Sequence, residues 1–297
     1  MMLPVRPTVH LSAPVPVEVE EALRRDFELV AEPQGADGIV AMLTVTVDDA
    51  YLEAAGPELR VVANYAVGVN NVDLEAARRH GIVVANTPDV LTGATAELAL
   101  TLMLSLLRRV TEGDRFVRRR EPWQFSLEFM LGERLEGKTL LVIGAGRIGR
   151  ETARLAEAFG ALPVLAGRTD DLDSLLRGAD VVSLHVPLTD ETRHLIDARR
   201  LRLMRPTAVL INTARGPVVD EAALAEALRD GVIAGAGLDV YEHEPEVTEA
   251  LLSLENVVLA PHLGSATRDT RIAMGMLCVE ALRAVLLEGR TPANVVA

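Results

Sequence analysis

The chain has 297 residues, 43 acidic against 30 basic, for a formal net charge of −13 at pH 7. That balance excludes general affinity for nucleic acid or an anionic membrane, so an anionic substrate must be held by local cations. Apolar residues make up 49%, enough for a large core, and the single cysteine, Cys278, excludes an intrachain disulfide and suits a reducing cytoplasm.

Residues 1–90 read as short strands alternating with helices: strand "RPTVHLS", helix "PVEVEEALRRD", strand "DGIVAML", helix "VDDAYLEAAG", strand "LRVVANY", helix "DLEAARRHG", strand "IVVANT". Apolar runs of this length between helices favour a parallel sheet covered on both faces. The opening "MMLPVRPTVHLSAP" lacks the apolar stretch and cleavage site of a signal peptide. One long helix is expected over 93–119, with Asp89 and Thr92 near its start. Its greasiest part, "LALTLMLSLL", is about half a membrane span, so it reads as a buried connector that also packs on a second subunit.

A second alternating series follows: "KTLLVIG", helix 148–159, "LPVLAG", helix "DLDSLLRG", "ADVVSLHV", helix 191–203, "TAVLINT", helix 220–229, "AGAGLDV" and "ENVVLAPH". Six apolar strands with helical crossovers make a doubly wound domain. The helical stretch "ATRDTRIAMGMLCVEALRAVLLEG" and the tail "RTPANVVA" then return to the first domain. The expected architecture is α/β, two doubly wound parallel-sheet domains with a cleft between. Residues 1–90 plus 268–297 form a flavodoxin-like substrate domain, and 91–267 a Rossmann-type cofactor domain.

The chemistry gathers in the second domain. Gly144-Ala145-Gly146-Arg147-Ile148-Gly149 ends a strand and opens a helix. Gly144 makes the tight turn, Gly146 lets a pyrophosphate approach the backbone, and Gly149 lets helix and strand pack closely. A helix N-terminus favours the anion. After the next strand stands Gly167-Arg168-Thr169, where an NAD enzyme usually carries an acid. A cation and a hydroxyl there favour a 2′-phosphate, so NADP(H) is expected, with NAD(H) possible if Asp170 or Asp171 serves instead.

Candidates for acting on a carbonyl follow later strand ends: Arg215 in "NTARG", Asp239, Glu242 and Glu244 in "GLDVYEHEP", His262 in "LAPHLGSAT". Arginine can fork onto a 2-oxo acid's carboxylate and carbonyl, histidine can exchange the proton, and a carboxylate can orient the histidine. Spacing leaves Glu242 and Glu244 both open. His10, His80, His194 and His243 have no such setting, and His185 lines the cofactor side. The only lysine, Lys138, opens a strand and is set aside, and no metal cluster is visible.

Six ordered blocks, "VANYAVGVNNVDLEAA", "GIVVANTPDVLTGATAELAL", "VIGAGRIG", "INTARGPVVDEAAL", "GAGLDVYEHEP" and "PHLGSAT", together resemble the D-isomer-specific 2-hydroxyacid dehydrogenases, particularly their glyoxylate/hydroxypyruvate reductase branch. The resemblance implies a catalytic Arg215, Glu244 and His262, the acid being the one directly before the proline. It implies that Leu43, Val67, Gly68 and Ser265 meet the substrate with Arg215 and His262. Thr95, His185, Val186, Pro187, Thr192, Thr213, Ala214, Asp239 and Gly264 would join the glycine turn, Arg168 and Thr169 at the cofactor. It also implies a homodimer through 93–119 and reversible reduction of a small 2-oxo acid. Met42 and Asn64 stand where phosphoglycerate-using members carry arginines, so a phosphorylated substrate is not expected. About a dozen residues are missing after Thr169, which trims the adenine side. The alternatives are a dinucleotide-sensing corepressor-like protein, or a dehydrogenase of the same fold for another 2-oxo acid.

Overall fold

The computed structural model describes residues 6–297. In chain order the elements are β1 (Thr8–Leu11), α1 (Val17–Asp26), β2 (Glu28–Val30), β3 (Gly38–Ala41), α2 (Asp49–Ala55), β4 (Val61–Asn64), α3 (Leu74–His80), β5 (Val83–Ala85), α4 (Thr92–Leu107) and α5 (Val110–Arg118). Then come β6 (Thr139–Ile143), α6 (Arg147–Ala158), β7 (Leu162–Ala166), α7 (Leu172–Gly178), β8 (Val181–Leu184), α8 (Ala198–Leu201), β9 (Val209–Asn212), α9 (Glu221–Arg229), β10 (Gly235–Leu238), α10 (Glu249–Leu252), β11 (Val257–Leu259) and α11 (Arg268–Leu286). Helix starts are marked by side chains that accept an N–H three residues on: Asp48 from Tyr51, Asp73 from Ala76, Asp171 from Ser174, Asp220 from Ala223.

The chain divides into two compact units, residues 1–91 with 265–297, and residues 92–264. In the first, five parallel strands run in the order β2-β1-β3-β4-β5. All four residues of β3 and of β4 are buried, because helices cover both faces. Helix α11 lies on β3 and β4 and against α1. Gly275 permits that approach, since a Cβ there would sit 2.7 Å or less from both Val19 methyls. The tail pairs with the sheet edge: the Val296 N–H donates to Val84 O at 2.7 Å, and the Val84 N–H to Ala297 O at 2.8 Å. The short strand β2, at the opposite edge, has no counterpart in the sequence reading.

In the second unit six parallel strands run β11-β10-β9-β8-β6-β7. The order reverses between β6 and β8, and in such sheets ligands gather at the strand C-termini beside that reversal. Below Gly167 the chain goes straight into α7 and on to β8, leaving β7 as the edge with Leu162 and Leu165 exposed.

Two helix expectations need correction. The helix over 93–119 is two, α4 and α5, broken at Arg109, whose φ is 54°. The carbonyl that a continuous helix would use, Leu107 O, is instead taken by the Glu133 N–H at 2.8 Å. The helix over 191–203 shrinks to α8. Residues before it form turns, with the Thr189 N–H on Thr192 Oγ1 at 2.8 Å and that hydroxyl on Pro187 O at 2.7 Å. No helix among the described residues is long and apolar enough to cross a membrane.

Candidate active site

Strand β9 ends at Asn212, whose side chain folds the next turn: Oδ1 accepts the Ala214 N–H at 3.0 Å and Nδ2 donates to Arg215 O at 3.0 Å. Arg215 follows, its side chain partly buried. One nitrogen donates to Ala214 O at 2.6 Å, and among the described residues no carboxylate forms an ion pair with it. Burial pushes its pKa down and the charge of Glu244 pushes back; an arginine stays charged regardless. Gly216 lets this turn press onto its neighbour, because a Cβ there would overlap the Tyr241 carbonyl.

The next strand end, after β10, carries Asp239 and Glu244. Asp239 is 1% exposed, and its two oxygens accept the N–H groups of Leu263 at 2.6 Å and Gly264 at 2.8 Å. It thereby shapes the loop that presents His262, whose φ of 55° is left-handed. Burial raises the Asp239 pKa against the pull of those two N–H groups and of His262. Thr95 adds a bond from its hydroxyl to Gly264 O at 3.0 Å.

His262 Nδ1 meets Glu244 Oε2 at 2.8 Å, and Glu244 Oε1 accepts the Tyr241 N–H at 3.0 Å. Burial works against the Glu244 charge, yet the bonds from His262 and Tyr241, with the charges of His262 and Arg215, hold its pKa below the ordinary range. This pairing separates the two glutamates. Glu242 faces the other way, 2.6 Å from His194 Nε2, a partnership that the sequence reading missed for His194.

The glycine turn stands at the β6 end. Gly144 has φ 103°, and a Cβ would meet His185 O at 2.5 Å. At Gly146 a Cβ would meet nothing within 4 Å, so its backbone faces open space at the start of α6. A cavity of about 780 Å³ runs from there past Gly167, Arg168, Val186, Pro187 and Thr192, the shape and lining that a dinucleotide's phosphates and ribose require. Thr213 Oγ1 is buried with no hydrogen-bond partner among the described residues. The Gly167 N–H donates to Asp170 Oδ2 at 2.7 Å. Arg168 and Thr169 are exposed beside it. His185 lies at the cavity, but its ring turns to Ser183 Oγ at 2.9 Å, and burial pushes its pKa down to about 4.

In the first unit, Leu43 follows β3, and Val67 and Gly68 follow β4. The carbonyls of Val67 and Gly68 accept from Asn86 at 2.8 Å and Asn64 at 2.9 Å, which fixes the peptide planes of that loop. Ser265 opens that unit's second segment.

Residues 100–264 match the family described as D-isomer specific 2-hydroxyacid dehydrogenase, NAD binding domain. The chain belongs to that family. It is 43% identical to the glyoxylate reductase of Thermococcus litoralis, over 98% of this chain and 97% of that one. With the glyoxylate reductase of Aeropyrum pernix it shares 46% identity over 90% and 85%. Among solved structures, the NADPH-dependent glyoxylate/hydroxypyruvate reductase of Sinorhizobium meliloti with NADP and malonate superposes with a TM-score of 0.86 at 37% identity, over 98% and 97% of the two chains. A protein from Thermus thermophilus superposes with a TM-score of 0.92 at 43% identity, over 98% and 100%. This family member is therefore an oxidoreductase that interconverts 2-oxo and 2-hydroxy acids with a nicotinamide dinucleotide.

Proposed function

We propose that this dehydrogenase reduces glyoxylate and hydroxypyruvate to glycolate and D-glycerate, reversibly, with NADPH preferred over NADH. The observation that carries the reading is a partly buried guanidinium without an ion pair among the described residues, on the loop against which the His262–Glu244 pair is folded.

The dinucleotide, when bound, supplies or accepts the hydride. The N–H groups around Gly144, Gly146 and Gly149, with Arg147 and Ile148 opening α6, would hold its pyrophosphate. Thr213, Ala214, Val186, Pro187 and Gly264 would line it, and Arg168 with Thr169 would meet a 2′-phosphate. Arg215 grips the 2-oxo acid's carboxylate and polarises its carbonyl. Doubly protonated His262 gives its Nε2 proton to that carbonyl oxygen as the alcohol forms, and Glu244 stabilises the imidazolium through Nδ1–H. The family resemblance further assigns Val67, Gly68, Leu43 and Ser265, all of the first unit, to the substrate.

A second copy of the chain is the partner that we assign to the 93–119 region. Phe125 and Leu127, just beyond α5, are 83% and 85% exposed, and Val110, Val117 and Leu131 extend the apolar surface. Light scattering should give twice the chain mass. The function is tested by NADPH absorbance decay with glyoxylate, hydroxypyruvate, pyruvate and a branched 2-oxo acid. Turnover with the first two supports it, and turnover with none of the four, with either cofactor, sinks it.

A further inference from the structure

Outside the Arg215, Glu244 and His262 set lies a second histidine–glutamate pair with no assigned task. His194 Nε2 is 2.6 Å from Glu242 Oε1. Glu242 is reciprocally clasped to Glu221 at the start of α9: the Glu242 N–H donates to Glu221 Oε2 at 2.7 Å, and the Glu221 N–H to Glu242 Oε2 at 3.3 Å. Glu221 is 6% exposed, and its other oxygen accepts the Thr248 N–H at 2.9 Å. Residues 242 and 248 bracket Glu244, so one buried carboxylate pins both sides of the turn that carries it.

The other end of the chain of contacts reaches the cofactor cavity. Thr189, Glu191, Thr192 and Leu195 line that cavity, and His194 stands among them with φ 49°. A left-handed histidine is uncommon, so its surroundings must hold it there. Two backbone bonds do so, His194 N–H to Pro217 O at 2.8 Å and Ile196 N–H to Val218 O at 3.1 Å. Both acceptors lie in the turn directly after Arg215. The cavity loop, the Arg215 turn and the Glu244 turn thus share one set of contacts.

We infer that Glu221, Glu242 and His194 form a positioning relay that holds the cofactor-side loop 189–195 in register with the turn bearing Glu244. None of the three belongs to the Arg215, Glu244 and His262 set. The relay sets the shape of the dinucleotide cavity and the placing of Glu244 together. Burial opposes the Glu242 charge, and the bond from His194 leads the groups that keep its pKa low nonetheless. The inference rests on the cofactor reading proposed above.

The test uses the full-length protein and NADPH alone, without substrate, in titration calorimetry. His194→Asn suits the left-handed backbone and removes the ring; Glu242→Ala removes the other half. Loss of one charge-assisted bond should weaken NADPH binding by about tenfold in each. The double variant should bind no worse than the weaker single, since both break one link. Steady-state KM for NADPH should rise by a larger factor than kcat falls, and Glu242→Gln, which keeps an acceptor for the Glu221 N–H, should recover part of the affinity. Unchanged NADPH affinity in His194→Asn overturns the relay, as does a double-variant loss equal to the product of the singles. Absence of NADPH binding by the unaltered protein would instead sink the cofactor reading, which separates the two failures.

Discussion

His262 Nδ1 stands 2.8 Å from Glu244 Oε2, while the opposite oxygen of Glu244 is held by the Tyr241 N–H. The histidine ring is thus fixed from one side, leaving Nε2 for the substrate. Replacing Glu244 by Gln keeps an acceptor but removes the charge that supports an imidazolium. A hydrogen bond to a charged group is worth about 1.5–3 kcal/mol, so kcat for glyoxylate should fall by roughly 10–100-fold. His262→Ala should cost more, about 10²–10⁴. Because the Glu244 pKa lies below the ordinary range, its charge persists into mildly acidic solution and is lost only as pH falls through that lowered value. An unaltered rate in Glu244→Gln across the pH range would remove Glu244 from the machinery.

Arg215→Lys tests the fork. Lysine brings the charge but neither the planar pair of donors nor their spacing. We expect kcat/KM for the oxo acid to fall by about 100-fold or more, with NADPH affinity affected far less. Steady-state kinetics with calorimetry of NADPH separates the two quantities, and equal losses in both would contradict the assignment.

Gly216→Ala places a methyl where the Tyr241 carbonyl already is. The Arg215 turn must then move away from the Glu244 turn. Displacement by about 1 Å is enough to cost about 10²-fold in rate, so the variant should fold with much reduced turnover. Circular dichroism and kcat together check it.

Cofactor choice is tested at Arg168. If its guanidinium meets a 2′-phosphate, Arg168→Ala should lower kcat/KM for NADPH by about tenfold and leave NADH within about twofold. Equal losses with the two cofactors would count against NADPH preference.

His185 gives a pH dependence of stability. Its ring titrates near 4 in the fold against an ordinary 6.5, so between those values the unfolded chain binds the extra proton. Stability therefore falls as pH drops from 6.5 towards 4, by on the order of 3 kcal/mol. In His185→Gln, which does not titrate, urea unfolding should show a shallower slope over that window. An identical slope would mean that other groups carry it.

How much of this was legible in the chain itself follows from how local each feature is. Buried parallel strands announce themselves as apolar runs such as Val61-Val62-Ala63, and Asp73 or Asp220 three residues ahead of its N–H partner marks a helix start. Arg215 and His262 were legible as a cation and an imidazole at strand ends. The break at Arg109 was not, because the N–H that decides it comes from Glu133, across a loop. Neither was the His194–Glu242 pair, 48 residues apart. The choice between Glu242 and Glu244 lay beyond spacing too: in the structure it turns on which carboxylate the Tyr241 N–H and His262 reach.

The split of the first unit between residues 1–91 and 265–297 bears on the order in which the protein is made. A nascent chain that has just emerged through Gly264 holds every strand of both sheets, yet it lacks α11, which lies on β3 and β4, and the tail that closes the β5 edge. The contiguous middle unit can complete itself while the earlier sheet still waits with one face uncovered. Residues 265–297 are then the stretch whose synthesis lets α11 cover β3 and β4 and lets the tail close the β5 edge.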